Sequence, residues 1–222
     1  MSSKKSRDEI AKAYDSPPWW YDVRGFFILT FAYNSTLGSQ MRLFGPNFGE
    51  KHIEIACGSG SFLRLLLQWR SWKKLPEVDI VGIDYAEAML AGAIHTFKDN
   101  PRIALHHADA AELPFPDASF DTANIANSIH CFPDVDGALK DIHRVLKPGG
   151  ILAANVLLYP RTVWPLNRIA QKINDWGIKK GILYTPYDRE EVRNKLVAAG
   201  FDIKDEEVSG NCYNIVCLKP EV

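Results

Sequence analysis

The sequence has little of several features that mark large classes of protein. It contains four cysteines among 222 residues, with no C-x-x-C pair and no histidine spacing that suits zinc, so we predict reduced thiols and no metal site. Its longest apolar run, residues 25–33, is far shorter than the roughly 20 residues of a bilayer-spanning helix. The first nine residues are polar and lack the apolar core of a secretory signal. We therefore expect a soluble, cytoplasmic protein without a transmembrane segment.

No charge of one sign dominates the chain. Lys and Arg total 26 and Asp and Glu total 27, so the formal net charge is −1. Such a chain has no overall electrostatic field that attracts nucleic acid. We predict no nucleic-acid partner, and we leave peripheral membrane contact and the oligomeric state open.

The composition fits one α/β domain. Hydrophobic residues make up 46% of the chain, which is enough to bury a sizeable core. We predict a helical N-terminal cap over residues 1–50, a cofactor-binding core over 51–158, an inserted cap segment over 159–187, and a last helix with a terminal hairpin over 188–222. The insertion interrupts the regular pattern with aromatics and prolines, and it follows the fifth predicted strand.

Strands and helices alternate within the core. Strands are predicted at 53–56, 78–84, 103–108, 122–127 and 151–157, and helices at 61–69, 86–97 and 135–146. This alternation indicates a parallel sheet with helices on both faces. Two last strands, 201–208 and 212–218, are joined by a short Gly-containing turn and form an antiparallel hairpin.

The most informative stretch is residues 52–60, HIEIACGSG, which precede an apolar helix. This stretch predicts a strand, a tight turn at Gly58 and Gly60, and a helix N-terminus. Such a turn lets the backbone approach a nucleotide-like ligand, and the first helical N–H groups attract its polar part. Asp84 ends the next predicted strand, where an α/β sheet presents an acid to a ribose. Asp also favours helix N-caps, so both roles stay open for Asp84.

Five motifs in chain order resemble those of the class I S-adenosylmethionine-dependent methyltransferases. They are EIACGSG at 54–60, GIDYAEAML at 82–90, ADAAELPF at 108–115, FD at 120–121 and RVLKPGG at 144–150. The pattern is most similar to the branch that methylates small molecules such as quinones, phenols, sterols and lipids. The resemblance implies a Rossmann-like, seven-stranded, mostly parallel sheet that ends in an antiparallel hairpin, with S-adenosylmethionine as cofactor.

The resemblance also implies which residues hold the cofactor. Asp84 would accept hydrogen bonds from both ribose hydroxyls, and Asp109 would accept one from the adenine amino group. The backbone at 125–127 would pass close to the sulfonium. The full predicted set is Tyr14, Glu54, Ala56, Cys57, Gly58, Gly60, Asp84, Tyr85, Met89, Asp109, Ala110, Ile125 and Asn127.

We expect the cap and the insertion to form the acceptor pocket. The predicted pocket residues are Trp19, Trp20, Tyr21, Arg24, Trp164 and Tyr184. Aromatics of this kind suit a flat or apolar acceptor, and their alternative role is a second small core that seals the cofactor. His130 follows the fourth predicted strand and is the predicted catalytic base for a phenol or an acidic carbon. Its alternative role is to pack on the cofactor or to orient a loop.

These residues predict methyl transfer to a small hydrophobic or aromatic acceptor of the quinone, phenol or lipid kind. A nicotinamide-dependent oxidoreductase would share the Gly turn and the ribose acid, but the turn at 147–150 and the terminal hairpin favour methyl transfer. A nucleic-acid methyltransferase is disfavoured, because residues 127–133 lack the Asn/Asp-Pro-Pro-aromatic loop used on base amino groups.

Ala56 departs from the family pattern, because it stands where the family has its first loop glycine. It supports a second alternative, a catalytically inactive methyltransferase-fold protein with a binding or assembly role. Since alanine carries a Cβ, we expect a negative φ at this position.

Overall fold

A computed structural model describes residues 32–33, 35–180 and 186–221 of the chain. The strands of the described part are β1 (Lys51–Ile55), β2 (Asp79–Asp84), β3 (Ile103–His107), β4 (Phe120–Ile125), β5 (Leu146–Leu157), β6 (Asp202–Ser209) and β7 (Cys212–Leu218). The α-helices are α1 (Leu37–Phe44), α2 (Ser61–Trp72), α3 (Glu87–Phe97), α4 (Val135–Val145), α5 (Leu166–Lys180) and α6 (Arg189–Ala198). A short 3-10 turn, Ile129–Cys131, separates β4 from α4.

The seven strands form one sheet in the order β3-β2-β1-β4-β5-β7-β6. The pairs among β1 to β5 are parallel, while β7 runs antiparallel to both β5 and β6. The predicted Rossmann-like sheet with a terminal antiparallel hairpin is therefore confirmed. The order reverses between β1 and β4, and this switch point is where open α/β sheets bind ligands.

The start of β5 differs from the prediction by five residues, and the other strand bounds differ by two residues or fewer. β5 begins at Leu146 rather than at 151, because Leu146 pairs with Phe120 before a register irregularity. β4 ends at Ile125 rather than at 127, because Asn127 takes a φ of 56°, which no strand residue adopts.

The core lies on both faces of the central strands. Ile53, Ile55, Ala123 and Ile125 are fully buried, as expected for strands that carry helices on both sides. Helix α4 buries residues at helical spacing against the sheet, and the Asp134 side chain caps it by accepting a hydrogen bond from the Gly137 N–H. The edge strands β3 and β6 are largely exposed.

Helix α5 lies within the predicted insertion, between β5 and α6. The domain boundaries at 50, 158 and 187 stay predictions, and most of the predicted N-terminal cap lies outside the described residues. In the described part of the chain, none of the helices combines the length and the apolar character needed to cross a bilayer.

Candidate functional site

A cleft that is partly open to solvent lies where the first four strands end. Four connections contribute to it, namely those that follow β1, β2, β3 and β4. The cleft is lined by Ala56, Gly58, Ile83, Asp84, Tyr85, Ala86, Met89, Ala108, Asp109, Ala110, Asn127, Ser128, Cys131, Phe132, Pro133, Asp134 and Ala138. It has the position expected for a cofactor site at a switch point.

The turn after β1 has three residues with positive φ. Ala56, Gly58 and Gly60 have φ values of 55°, 58° and 77°. Our expectation of a negative φ at Ala56 is therefore wrong, because the chain must turn sharply from β1 to reach α2. A left-handed alanine costs about 1–2 kcal/mol relative to the right-handed form. The position thus tolerates a Cβ but keeps the glycine conformation.

Gly58 and Gly60 serve different purposes in this turn. A Cβ on Gly60 would lie 2.6 Å from the Phe97 ring and 3.3 Å from Ala93, so Gly60 allows α2 to start close to α3. A Cβ on Gly58 would meet no atom of the described structure within 4 Å. Because Gly58 lines the cleft, this open space is where a ligand approaches the backbone.

Asp84 links the turn to the end of β2. Its Oδ2 accepts a hydrogen bond from the Gly58 N–H at 2.7 Å, and its Oδ1 accepts one from the Ala86 N–H at 2.8 Å. Burial raises the pKa of the carboxyl, and these N–H donors oppose that rise. The N-cap residue of α3 is Ala86 rather than Asp84, and the Asp84 carboxylate lines the cleft while it binds the backbone before that helix, so its ribose role stays a prediction.

Tyr85 and Met89 form a wall of the cleft beside Asp84. The Tyr85 ring stacks on His107 with centroids 5.4 Å apart, and the Tyr85 carbonyl lies 2.8 Å from His107 Nε2. Met89 is 1% exposed and lines the cleft from α3. Together they present an aromatic and an apolar surface near an acid, which suits a nucleoside.

The loop after β3 is fixed from α4. Asp109 Oδ1 accepts a hydrogen bond from the Ala111 N–H at 2.9 Å. Further along the loop, Asp141 Oδ2 accepts from the Leu113 N–H at 2.6 Å, and Arg144 donates to the Leu113 and Phe115 carbonyls. The neighbouring acids Asp141 and Asp117 raise the pKa of Arg144, so its guanidinium stays protonated. This clamp holds Asp109 and Ala110 at the cleft.

The end of β4 is held by three amide side chains. The Asn127 N–H donates to Asn155 Oδ1 at 2.6 Å, and Asn155 Nδ2 donates to Asn127 Oδ1 at 2.9 Å. Gln40 from α1 completes the group with bonds of 2.8 and 3.1 Å to the Asn127 amide. Gln40 and Asn155 are almost fully buried. These bonds stabilise the left-handed backbone of Asn127 where it borders the cleft.

Comparison with known proteins identifies the domain that contains this cleft. Residues 53–154 match the family described as "Methyltransferase domain". These residues form a methyltransferase domain of the S-adenosylmethionine-dependent class. The family cofactor is S-adenosylmethionine, and the cleft fits it through the open face of Gly58, the carboxylates of Asp84 and Asp109, and the apolar wall.

Curated relatives of this methyltransferase domain are longer than the chain. Demethylmenaquinone methyltransferase of Staphylococcus aureus is 31% identical over 151 residues, which cover 68% of the chain and 61% of that protein. An uncharacterized chloroplastic methyltransferase of Arabidopsis thaliana is 31% identical over 176 residues, which cover 76% of the chain and 47% of that protein. The chain thus spans about half to three fifths of the length of these relatives.

Solved structures share the fold of the methyltransferase domain. Phosphoethanolamine N-methyltransferase 2 of Haemonchus contortus, in complex with S-adenosyl-L-methionine, has a TM-score of 0.71 at 16% identity. The match covers 99% of this chain and 60% of that one. At this level of identity the likeness concerns the fold alone.

His130 follows β4 and lies outside the set of residues that line the cleft. It is 6% exposed, does not line the cleft, and the Tyr33 hydroxyl lies 3.2 Å from its Nε2 and 3.3 Å from its Nδ1. Burial lowers the pKa of His130 to about 3, so the ring is neutral at physiological pH. The catalytic role of His130 stays a prediction.

Three predicted cofactor residues support the cleft without lining it. Glu54 is buried in β1, where it accepts hydrogen bonds from His52 and Asn124. Ile125 is fully buried in the core at the end of β4. Cys57 donates its N–H to the Ile83 carbonyl, and burial raises the pKa of its thiol well above the ordinary range. These residues hold the strands and the turn in place.

Most of the predicted acceptor residues lie outside the described part of the chain. This is so for Trp19, Trp20, Tyr21, Arg24 and Tyr184, and the predicted cofactor residue Tyr14 lies outside the described part as well. Trp164 is described, but it is 73% exposed and does not line the cleft. Within the described ranges, no group of three His, Cys, Asp or Glu side chains could hold a metal ion.

Sequence reasoning missed two parts of the site. Ser128 and residues 131–134 line the cleft, and their place between β4 and α4 at the switch point is a signal that could have identified them. Gln40 and Asn155 were missed as well, because nothing in the local sequence indicates that they meet Asn127.

Proposed function

We propose that this chain transfers a methyl group from S-adenosylmethionine to a small hydrophobic or aromatic acceptor of the quinone, phenol or lipid kind. The methyltransferase domain supports methyl transfer from S-adenosylmethionine, and the lining of the cleft supports the small apolar acceptor. Beyond its three acids, Asp84, Asp109 and Asp134, the cleft is lined mainly by apolar and small side chains, among them Phe132, Pro133 and Ala138. Such a wall favours an uncharged, largely apolar acceptor.

The described residues would divide the binding of the cofactor between them. Asp84, Asp109 and the Ala110 N–H would bind the nucleoside, and Met89 would cover the base. The Gly58 backbone would lie against the ribose and the amino-acid part. When bound, the cofactor supplies an electrophilic methyl group on a sulfonium. The protein's own task is then to hold the acceptor in line and to exclude water.

A general base is a separate question. Burial lowers the pKa of His130 to about 3, which makes the ring a weak proton acceptor at neutral pH, and its nitrogens contact the Tyr33 hydroxyl. We retain His130 as the candidate base or positioning residue, acting through Tyr33 rather than by direct contact. At neutral pH, a quinol or phenol that is already positioned needs little more than this help from a base or positioning residue.

The oxidoreductase alternative is disfavoured by topology. The nicotinamide-binding doubly wound sheet continues with a parallel sixth strand, whereas β7 here is antiparallel to β5. The inactive alternative rests on Ala56 alone, and the turn at Ala56 keeps the glycine-like φ that a functional loop requires.

The test is transfer of isotopically labelled methyl from S-adenosylmethionine to separate panels of hydroquinones, phenols, lipids, nucleic acid and protein. The Asp84→Ala variant serves as the cofactor-site control. The proposal predicts label in one apolar panel, lost in the variant. Label in nucleic acid or protein contradicts the acceptor class, and cofactor binding with no labelled acceptor in any panel favours the inactive alternative.

A further inference from the structure

The segment that follows β5 exposes large apolar side chains to solvent. Val163 is 78% and Trp164 is 73% exposed in the turn before α5. Leu166, Ile169 and Trp176 are exposed in α5 itself. A protein surface rarely gathers this many large apolar groups without an interaction that covers them.

Helix α5 separates a packed face from an exposed stripe. Ala170, Asn174 and Gly177 are buried, and they recur at spacings of four and three residues on one side of the helix. Beside that face, Ile169, Lys172, Trp176 and Lys179 follow each other at spacings of three, four and three, so they form one exposed stripe. Apolar side chains and cations therefore alternate along a single line.

Cations are concentrated around these exposed groups. Residues 159–180 contain Arg161, Arg168, Lys172, Lys179 and Lys180 against the single acid Asp175, in a chain whose net charge is −1. The rest of the chain is therefore acidic overall. The segment that carries the exposed Trp164 and Trp176 is therefore strongly basic.

The start of the segment is held firmly by the turn between β6 and β7. Asn211 Oδ1 accepts hydrogen bonds from the N–H groups of Arg161 and Thr162, at 2.7 and 3.3 Å. The Asn211 side chain also donates to the Ala32 carbonyl. The exposed groups are thus presented from a fixed base at the carboxyl end of β5, the same sheet edge as the cleft.

We infer that residues 161–179 form a membrane-interface surface that binds the headgroup region of an anionic bilayer. Tryptophan and long basic side chains are the residues that settle at a membrane boundary, with rings at headgroup level and ammonium or guanidinium groups on the phosphates. Anionic lipid attracts each cation held near its surface. A second copy of this chain is a poorer occupant, because the same cations would face each other.

The test is sedimentation of the purified chain with phosphatidylcholine vesicles, with and without phosphatidylglycerol. One variant combines Val163→Ser with Trp164→Ser, and another combines Lys172→Glu with Lys179→Glu. The matched control combines Trp72→Ser with Lys73→Glu, since Trp72 is as exposed as Trp164 and contacts Lys73 on α2, outside the 161–179 surface. No cofactor or acceptor is present, so the result does not depend on methyl transfer.

The inference predicts binding to phosphatidylglycerol vesicles that falls about tenfold or more in both surface variants and is unchanged in the control. Binding should also weaken with added salt. Three results would overturn the inference. The chain does not bind vesicles at all, it binds neutral vesicles equally well and the lysine changes have no effect, or the control variant loses as much binding as the surface variants. A dimer that the Val163 and Trp164 changes dissociate, without vesicle binding, assigns the surface to a second copy instead. Circular dichroism of each variant shows whether it remains folded.

Discussion

The Gly58 N–H and the Asp84 carboxylate form a hydrogen bond of 2.7 Å between the ends of the first two strands. This bond joins two motifs that lie 26 residues apart in the chain. In addition to the ribose contact proposed for it, the carboxylate of Asp84 therefore fixes the turn after β1. A change at Asp84 should alter both the acid and the shape of the turn.

We expect Asp84→Asn to weaken S-adenosylmethionine binding about tenfold or more, equal to ~1.4 kcal/mol. The amide has one acceptor oxygen, so it cannot accept from both the Gly58 and Ala86 N–H groups and still face two ribose hydroxyls. Calorimetric titration measures the loss. Asp79→Asn is the matched control, since Asp79 lies exposed at the other end of the same strand and pairs with Arg102. Equal weakening in both variants would contradict the assigned role.

Cofactor binding should also depend on pH through Asp84. Burial raises the pKa of this carboxyl, so it takes up a proton at a higher pH than an ordinary Asp. The protonated form loses acceptor capacity, and affinity should therefore fall as the pH is lowered through the raised pKa. The same titration repeated at decreasing pH measures this fall. An affinity independent of pH down to the range of an ordinary Asp would contradict it.

Exchanges of alanine and glycine in the turn should separate the cost of a positive φ from the effect of the room available for a methyl group. Gly60→Ala should destabilise the fold by about 2 kcal/mol or more, because it adds a clash with Phe97 to an unfavourable φ. Gly58→Ala should cost only about 1 kcal/mol of stability but should weaken cofactor binding, since its methyl group enters the cleft. Denaturant unfolding and calorimetry measure the two effects.

Ala56→Gly is the complementary control. The change removes the cost of a positive φ at an alanine, but it also adds conformational entropy to the unfolded chain. The free energy of unfolding should therefore change by at most about 1 kcal/mol, and cofactor binding should be retained. A large loss of stability would mean that the Ala56 methyl group contributes packing. A large loss of binding would mean that it contacts the cofactor.

The sequence predicted the parts of the fold and site that depend on local pattern. The strand, turn and helix around Gly58 and Gly60 follow from the order of apolar and small residues, and the position of Asp84 follows from where its strand ends. The Asn155 and Gln40 contacts to Asn127 could not be predicted, because they span 28 and 87 residues and depend on how β5 and α1 pack. The φ of Ala56 was mispredicted, because local steric preference gave way to the path from β1 to α2.

His130 should make stability depend on pH. Its pKa is about 3 in the folded protein and near 6.5 when unfolded, so the unfolded state binds more protons between these values. The contribution of neutral His130 is complete above pH 6.5 and is lost as the pH falls toward 3, with a slope of up to about 1.4 kcal/mol per pH unit.

The His130→Gln variant tests this dependence. It should flatten the rise of unfolding free energy with pH in denaturant titrations, whereas His95→Gln, at an exposed position on α3, should leave the slope unchanged. Buried His52, whose pKa is also lowered, remains in both variants and gives a common background. Identical slopes in the wild type and the His130 variant would show that His130 is accessible to protons.

Asn155→Leu should damage both stability and cofactor binding, although Asn155 does not line the cleft. The isosteric leucine removes an acceptor for the Asn127 N–H and a donor to its side chain, and each partner left unsatisfied costs about 1–3 kcal/mol. Because Asn127 holds a φ of 56°, losing these bonds should let the end of β4 relax and move the backbone that borders the cleft.

A pair of variants distinguishes this positioning role from general loss of packing. Asn155→Asp keeps the acceptor for the Asn127 N–H but loses the donor, so it should retain more cofactor affinity than Asn155→Leu. Ala153→Gly changes a fully buried residue of the same strand and should lower the free energy of unfolding with little effect on cofactor affinity. Unfolding titrations and calorimetry on all three variants check this order. If affinity simply follows stability across them, Asn155 acts only by packing and the Asn127 backbone does not shape the cofactor site.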